Sequence, residues 1–198
     1  LTRYGFLRFF YLLKARMVTT AHPPKFTLGE AACGPEGGQN SVPLAGRYVT
    51  EGDLHSCYTN ALIQMNRYPS ADMVRSMIEE VEKHFPNGGN CNSGSNHDRP
   101  RSASRMTEGV SDKDKSRVVR QLLQLFTCLP GSFTMYQGEE LGVTEARIPE
   151  DIPRKKLKDN LTGSPSETQG RRDGCRTPMP WKGSDKNAGF SKAEEPYL

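Results

Sequence analysis

The feature that most constrains this chain is an alternation. Short apolar runs that end in polar residues are separated by segments whose apolar residues recur at helical spacing. Residues 25–28, 54–58 and 133–136 read as short strands, the first of them buried and followed by a Gly-rich loop around Gly34, Gly37 and Gly38. Phe6, Phe9, Phe10 and Leu13 predict an amphipathic helix over 3–16, stopped by Pro23 and Pro24. Met73, Val74, Met77, Ile78 and Val81 predict a second helix, capped by Ser70 and ending near Phe85 before Pro86. Val118, Leu122, Leu125 and Phe126 predict a third, starting at Ser111 or Asp112 and closed by Pro130-Gly131. Strand and helix in turn is the pattern of an α/β chain with a parallel sheet. Two stretches break it: 87–98 is rich in Gly, Asn and Ser, which on propensity alone makes a loop, and 142–198 is Pro-rich and mostly irregular.

Composition sets the scale. Leu, Ile, Val and Phe together number 37 of 198 residues, so the core is small, yet a formal charge of +4 does not suit a wholly disordered chain. One domain with long polar loops fits better than two filled domains. No apolar stretch approaches the roughly eighteen residues of a membrane span, and the start of the chain, interrupted by Arg8 and followed by no small-residue cleavage site, does not read as a signal peptide. The basic residues are scattered, and the cluster of Arg154, Lys155, Lys156 and Lys158 lies in a Pro-rich loop, so no nucleic-acid partner and no membrane partner is expected. Five cysteines at wide spacing, without CxxC, favour a reducing compartment, hence a cytoplasmic location. The spacings of His55, His97 and the cysteines match no zinc signature, so no metal or other cofactor is expected.

The polar residues after the strands are the candidate site. Glu30, Asn96-His97-Asp98 and Gln137-Gly138-Glu139-Glu140 each follow a candidate strand, and in a (β/α)8 barrel the active site lies at the carboxyl ends of the strands. Such a barrel takes about 250 residues, and this chain has room for roughly half. Two carboxylates on neighbouring strand ends are the least that cleavage of a glycosidic bond requires, and Glu30 and Asp98 form the natural pair. Taken singly, each residue type is more common as a cap or loop residue.

Larger motifs add to this. GSNHDRPRSASRM over 94–106, LLQLFTCLPGSFTMYQGEELGVTEARIPED over 122–151, RRDGCRTPMPW over 171–181 and NAGFS over 187–191 occur in that order. They resemble the α-amylase superfamily of glycoside hydrolases, and within it the bacterial α-glucosidases and oligo-1,6-glucosidases. FTLGEAA over 26–32 resembles that family's strand bearing the general acid, and LHSCY over 54–58 the strand after it. The resemblance implies a partial (β/α)8 barrel, the later half only, with a long irregular C-terminal loop region. Residues 1–198 are then a fragment of one catalytic barrel, with strand and helix units over about 1–141 and loops over 142–198. It implies retaining hydrolysis of terminal α-linked glucose, with an α-glucoside or a malto- or isomalto-oligosaccharide as partner. By this match Glu30 takes the place of the general acid/base and Asp98 that of the carboxylate stabilising the transition state. His97 matches the histidine that binds substrate hydroxyls, and Arg101, in NHDxxR, helps to organise the substrate site and its carboxylates.

The chain also departs from the family. No residue here matches the nucleophilic Asp, which the family carries on a strand ahead of the general acid. Gly89, Asn90, Asn92, Ser93 and Gly94 stand where apolar residues usually lead into NHD, which predicts a weakened strand under Asp98. Thr59-Asn60-Ala61 lacks the usual aromatic and acidic residues, and 160–170 replaces an aromatic-rich segment. The expectation is a chain that is inactive alone and self-associates through exposed barrel edges. The alternative is a noncatalytic fragment or a sugar-binding or interaction remnant.

Overall fold

The computed structural model describes residues 23, 25–31, 41–149, 151–153, 156, 157, 159 and 172–194. The helix expected over 3–16, the Gly-rich loop at 34–38 and the segment 160–170 lie outside the described residues. The chain divides into two compact units. The first holds the described residues up to Gln64, Pro69–Ser93 and Phe126–Thr134; the second holds Met65–Tyr68, Gly94–Leu125 and the described residues from Met135 onward.

The first unit contains the sheet. Strands β1 (Leu28–Gly29), β2 (Ser56–Tyr58), β3 (Asn90–Asn92) and β4 (Ser132–Phe133) lie in sequential order, all parallel. Leu28 stands opposite Ser56, Cys57 opposite Asn90, and Cys91 opposite Ser132. Parallel neighbours need a crossover. Helix α1 (Ser41–Thr50) supplies the first and α2 (Ala71–His84) the second. Helix α2 follows its sequence signals: the Ser70 hydroxyl accepts from the Met73 N–H, and Met77 and Val81 are buried. The chain leaves the helix at Phe85, whose N–H reaches the Val81 carbonyl.

Helix α1 has no counterpart in the sequence expectation. Of its residues SVPLAGRYVT only Leu44, Ala45 and Arg47 are good helix formers, and Pro43 is tolerated because it falls in the first turn. Tertiary packing makes the helix. Ala45 is fully buried in a cluster with Ala31, Cys57, Val81 and Phe85, with Val42, Leu44, Tyr48, Val49 and Leu54 packed around it. Gly46 lets the two helices touch, since a Cβ there would strike the backbone carbonyl of His84.

The strands are shorter than the apolar runs that announce them. The run at 25–28, expected to be buried, contributes only Leu28 to β1, and Phe26 and Leu28 are 71% and 43% exposed. The 133–136 run ends as a strand at Phe133 because the following residues turn (see below). The larger difference is β3. The Gly/Asn-rich stretch that propensity assigns to a loop forms a strand buried throughout. Its polar side chains are bonded instead of packed. Asn90 and Asn92, two apart and hence on one face, both donate to the Pro130 carbonyl, at 2.7 and 2.9 Å. Thr59 donates to Asn92 Oδ1, and Cys91 Sγ lies 3.1 Å from Thr134 Oγ1. Gly131 completes the arrangement: its φ is +99°, and a Cβ there would collide with the Asn90 amide. The weak strand-forming composition is thus offset by amide bonds to the turn before β4.

The second unit is built from loops, the short helix α3 (Ser102–Arg105), most of helix α4 (Asp112–Cys128), and single 3-10 turns at Arg172–Cys175 and Lys186–Gly189. Helix α4 begins and ends where its signals placed it, and its Leu122 and Phe126 are buried. No helix among the described residues is long and apolar enough to cross a membrane.

Candidate active site

Of the four residues singled out by sequence, Glu30 belongs to the first unit and His97, Asp98 and Arg101 to the second. Glu30 directly follows β1 and is exposed. Its neighbour Ala31 turns into the apolar cluster.

Asp98 closes a tight turn that leaves β3. Its backbone N–H donates to Asn96 Oδ1 at 2.9 Å, the local side-chain bond that Asn favours in turns. Three cationic or potentially cationic groups converge on its Oδ1. Arg172 Nη1 bonds it directly, Arg176 Nη2 stands at 3.2 Å and His97 Nε2 at 3.4 Å. Arg176 also ties the turn from behind by donating to the His97 carbonyl at 2.8 Å. Arg172 is itself held by Asp159, which accepts from its Nε and Nη2 at 3.0 and 2.7 Å and from its backbone N–H at 2.7 Å. The Asp159 bond, with Asp98 adding to it, raises the Arg172 pKa against the opposing effect of burial, so the guanidinium is firmly charged. His97 and Asp98 are therefore brought together as one group, and the segment RRDGC supplies the cations.

Arg101 is placed elsewhere. It is 3% exposed, and its guanidinium donates to the carbonyls of Gln137 and Cys175, at 2.6 and 3.2 Å, while lying 5.1 Å from the centre of the Tyr136 ring. Its backbone N–H donates to Glu145 Oε2. These contacts join the 98–101 turn to the 136–138 and 175 segments. Arg105, one helical turn on, does the same work for another set of carbonyls: Pro100 at 2.6 Å, Gly94 at 2.7 Å, and Met65. Burial, with Arg99 nearby, lowers its pKa to about 10.

The motif over 136–140 is a turn, not a strand end. Glu139 is buried, and its Oε1 accepts from the hydroxyls of Ser95 and Ser102 at 2.9 and 2.8 Å, while its Oε2 accepts from the Tyr136 N–H at 3.2 Å. The Tyr136 N–H is thus paired with this carboxylate and not with a neighbouring strand. Ser95 in turn accepts from the Ser102 N–H. Tyr136 donates from its hydroxyl to the Cys175 carbonyl at 2.9 Å. Burial pushes the Cys175 thiol up to about 11, with the Glu145 carboxyl adding to it, so this cysteine is held as a thiol. Ser95, Ser102, Arg105, Glu145 and Asp159 were not singled out by sequence reasoning. The one signal available was charge inside otherwise irregular segments, because a buried Arg or Glu needs partners. Met179 is buried, and Trp181, at 70% exposure, is open to solvent.

Comparison with known proteins gives this geometry its class. Residues 52–198 match the alpha-amylase catalytic domain family, so the chain belongs to it, and its parallel sheet is part of that family's (β/α)8 barrel. Among relatives, a probable alpha-glucosidase of Rhizobium meliloti is 32% identical over 189 residues, which is 95% of this chain and 32% of that protein. An oligo-1,6-glucosidase of Parageobacillus thermoglucosidasius is 31% identical over 142 residues, 65% of this chain and 25% of that protein. Among solved structures, an alpha-glucosyl transfer enzyme superposes with a TM-score of 0.71 at 31% identity, over 90% of this chain and 31% of that one. The chain spans a third or less of the length of these proteins.

Proposed function

We propose that this chain is the part of an α-glucosidase barrel that provides the general acid/base and the transition-state carboxylate for retaining hydrolysis of terminal α-linked glucose. The observation that carries the reading is the Asp98 cluster: a carboxylate fixed by two arginines and a histidine in the turn six residues after a parallel strand, in a chain of this family. In this reading an anion held at fixed geometry offsets positive charge developing at the anomeric carbon. His97 bonds the hydroxyls of the distorted sugar, and Glu30 protonates the leaving oxygen. Arg101 acts one step back, by fixing the turn from which Asp98 projects. Retention also needs a nucleophile about 5–5.5 Å from the acid, and the family match assigns that role to no residue of this sequence. The substrate is an α-glucoside or a malto- or isomalto-oligosaccharide.

Residues 1–198 are read as one piece of a single barrel domain. Among the described residues β1 and β4 each pair with one neighbour, which supports self-association through these edges. Four free cysteines among the described residues fit a cytoplasmic setting. The test supplies the earlier barrel strands of a related enzyme in trans or by fusion. Recovered hydrolysis of an aryl α-glucoside should fall by about a thousandfold or more in each of Glu30→Gln and Asp98→Asn, and the unsupplemented chain should give no turnover. Full activity in either variant would remove that residue from the mechanism. Reconstitution that yields a folded complex without turnover would favour a noncatalytic sugar-binding remnant.

A further inference from the structure

Strand β1 has two residues in the ladder and an exposed outer side, yet it carries the residue that the proposed reaction needs most. A side-chain bracket at its entry supplements that ladder. The Thr27 N–H donates to His55 Nδ1 at 3.1 Å, Thr27 Oγ1 lies 2.7 Å from the same nitrogen, and the His55 N–H donates to Thr27 Oγ1 at 3.0 Å. The Thr27 carbonyl then accepts from the Ser56 N–H, the bond that opens the ladder. The Phe26 ring stacks on the imidazole, with centroids 5.2 Å apart and planes 24° from parallel.

The chemistry of this bracket is one-sided. A backbone N–H only donates, so Nδ1 must accept and the ring must be in the neutral form with its proton on Nε2. The Thr27 hydroxyl accepts from the His55 N–H and, with Nδ1 unprotonated, shares the single Nδ1 lone pair with the Thr27 N–H. Adding a proton at Nδ1 would set an N–H against the Thr27 N–H and break that bond, while the hydroxyl could turn to accept from the ring. An imidazole is the side chain whose charge ordinarily changes between about pH 5 and 8.

We propose that His55 is a positioning residue that clamps β1 to β2 through Nδ1 while its ring is neutral, and so makes the placement of Glu30 depend on pH. The clamp itself stands on the bracket geometry, and its bearing on Glu30 rests on the α-glucosidase reading. Among the described residues no ion pair is formed with the ring by the charged groups nearest it along the chain. From β1 come Phe26 and Thr27, flanked by Lys25 and Glu30; from the turn after α1 come Glu51 and Asp53; and the turn at Pro86–Gly89, which approaches the His55 carbonyl, is uncharged. Among the described residues the histidine ion pairs are His84 with Glu80 and His97 with Asp98, and His55 is in neither. The Phe26 stack tolerates a cation, so protonation loosens the strand without expelling the ring.

The test needs no turnover, so its failure is separable from failure of the α-glucosidase reading. In the full chain at pH 8, a long-range ¹H–¹⁵N spectrum of the imidazole should show His55 Nδ1 unprotonated and Nε2 protonated. On acidification the protection factor of the Thr27 amide against exchange should fall about five- to tenfold, with the same midpoint as the His55 ring, as expected for loss of a net hydrogen bond. His55→Asn, whose Oδ1 accepts but does not titrate, should keep Thr27 protected at both extremes, and His55→Ala should lose protection at both. The proposal is overturned by a proton on Nδ1 at pH 8, by Thr27 protection that is unchanged through the ring's titration, or by a pH step that persists in His55→Asn. The wild-type spectra decide the matter alone if the variants do not fold.

Discussion

In the first unit an apolar cluster of Ala31, Ala45, Cys57, Val81 and Phe85 closes against strands of two or three residues. In the second, Met106, Leu122, Cys175 and Met179 share the interior with Arg101, Arg105, Glu139, Ser95 and Ser102, with few regular elements to hold them. The first unit is stabilised by removing small apolar groups from water, so each side chain contributes a graded amount. The second depends on charged donors and acceptors that were desolvated together. Such a group stabilises little in net terms, but removing one partner strands the others. The loops of this protein should therefore be more sensitive to a single substitution than its sheet.

The largest effect is expected from Arg105→Ala. Three carbonyls lose a charged donor and the volume of the stem is left empty, a cost of about 3–4 kcal/mol in urea unfolding. A loss below about 1 kcal/mol would erase the contrast between the units. Gly131→Ala probes the turn of the first unit that packs against Asn90. Its positive φ and the collision with Asn90 should together cost about 2–3 kcal/mol, and exchange at Asn90–Asn92 should rise with it. Ser70→Ala removes one cap bond from α2 and should cost about 1 kcal/mol, read as a shift in melting temperature without a change of fold.

The smallest effect concerns Glu145. Desolvation raises its carboxyl pKa, and this outweighs the Arg101 N–H bond and the Arg101 charge, which lower it. A carboxyl whose pKa is raised by folding binds its proton more tightly in the folded state. Its contribution to stability is therefore present in full below the unfolded-state pKa and is lost as pH rises through the folded value. Wild type should lose a little stability across that window just above the ordinary carboxylate range, and Glu145→Gln should flatten this part of the profile. A variant with the same slope as wild type would place the effect elsewhere.

The sequence was most informative where a local signal and a tertiary need agree. The Ser70 cap, the apolar face of α2 and the stop at Pro86 are fixed within seventeen residues, and the structure places that helix where they put it. The same holds for α4. Helix α1 was not legible, because Pro43, Gly46 and Thr50 argue against a helix locally and only the burial of Ala45 and the close approach at His84 require one. At the candidate site, His97 and Asp98 were legible from NHD and come together as a pair. Arg172 and Asp159 were not, since a cation 74 positions away along the chain is brought to Asp98 by folding alone.

By itself the sequence determined the alternation of strand and helix, the limits of α2 and α4, and through its ordered motifs the family. These are consequences of periodicity, capping and residue identity, which act over a few positions. Tertiary structure decided which polar residues are interior. Asn90, Asn92, Arg101, Arg105 and Glu139 read as loop or surface residues by type, yet all are buried. The reason is that burial of a polar group is favourable only when its partners arrive with it. Those partners, the carbonyl of Pro130 for the asparagines and those of Gln137 and Cys175 for Arg101, come from segments 36 to 74 residues away.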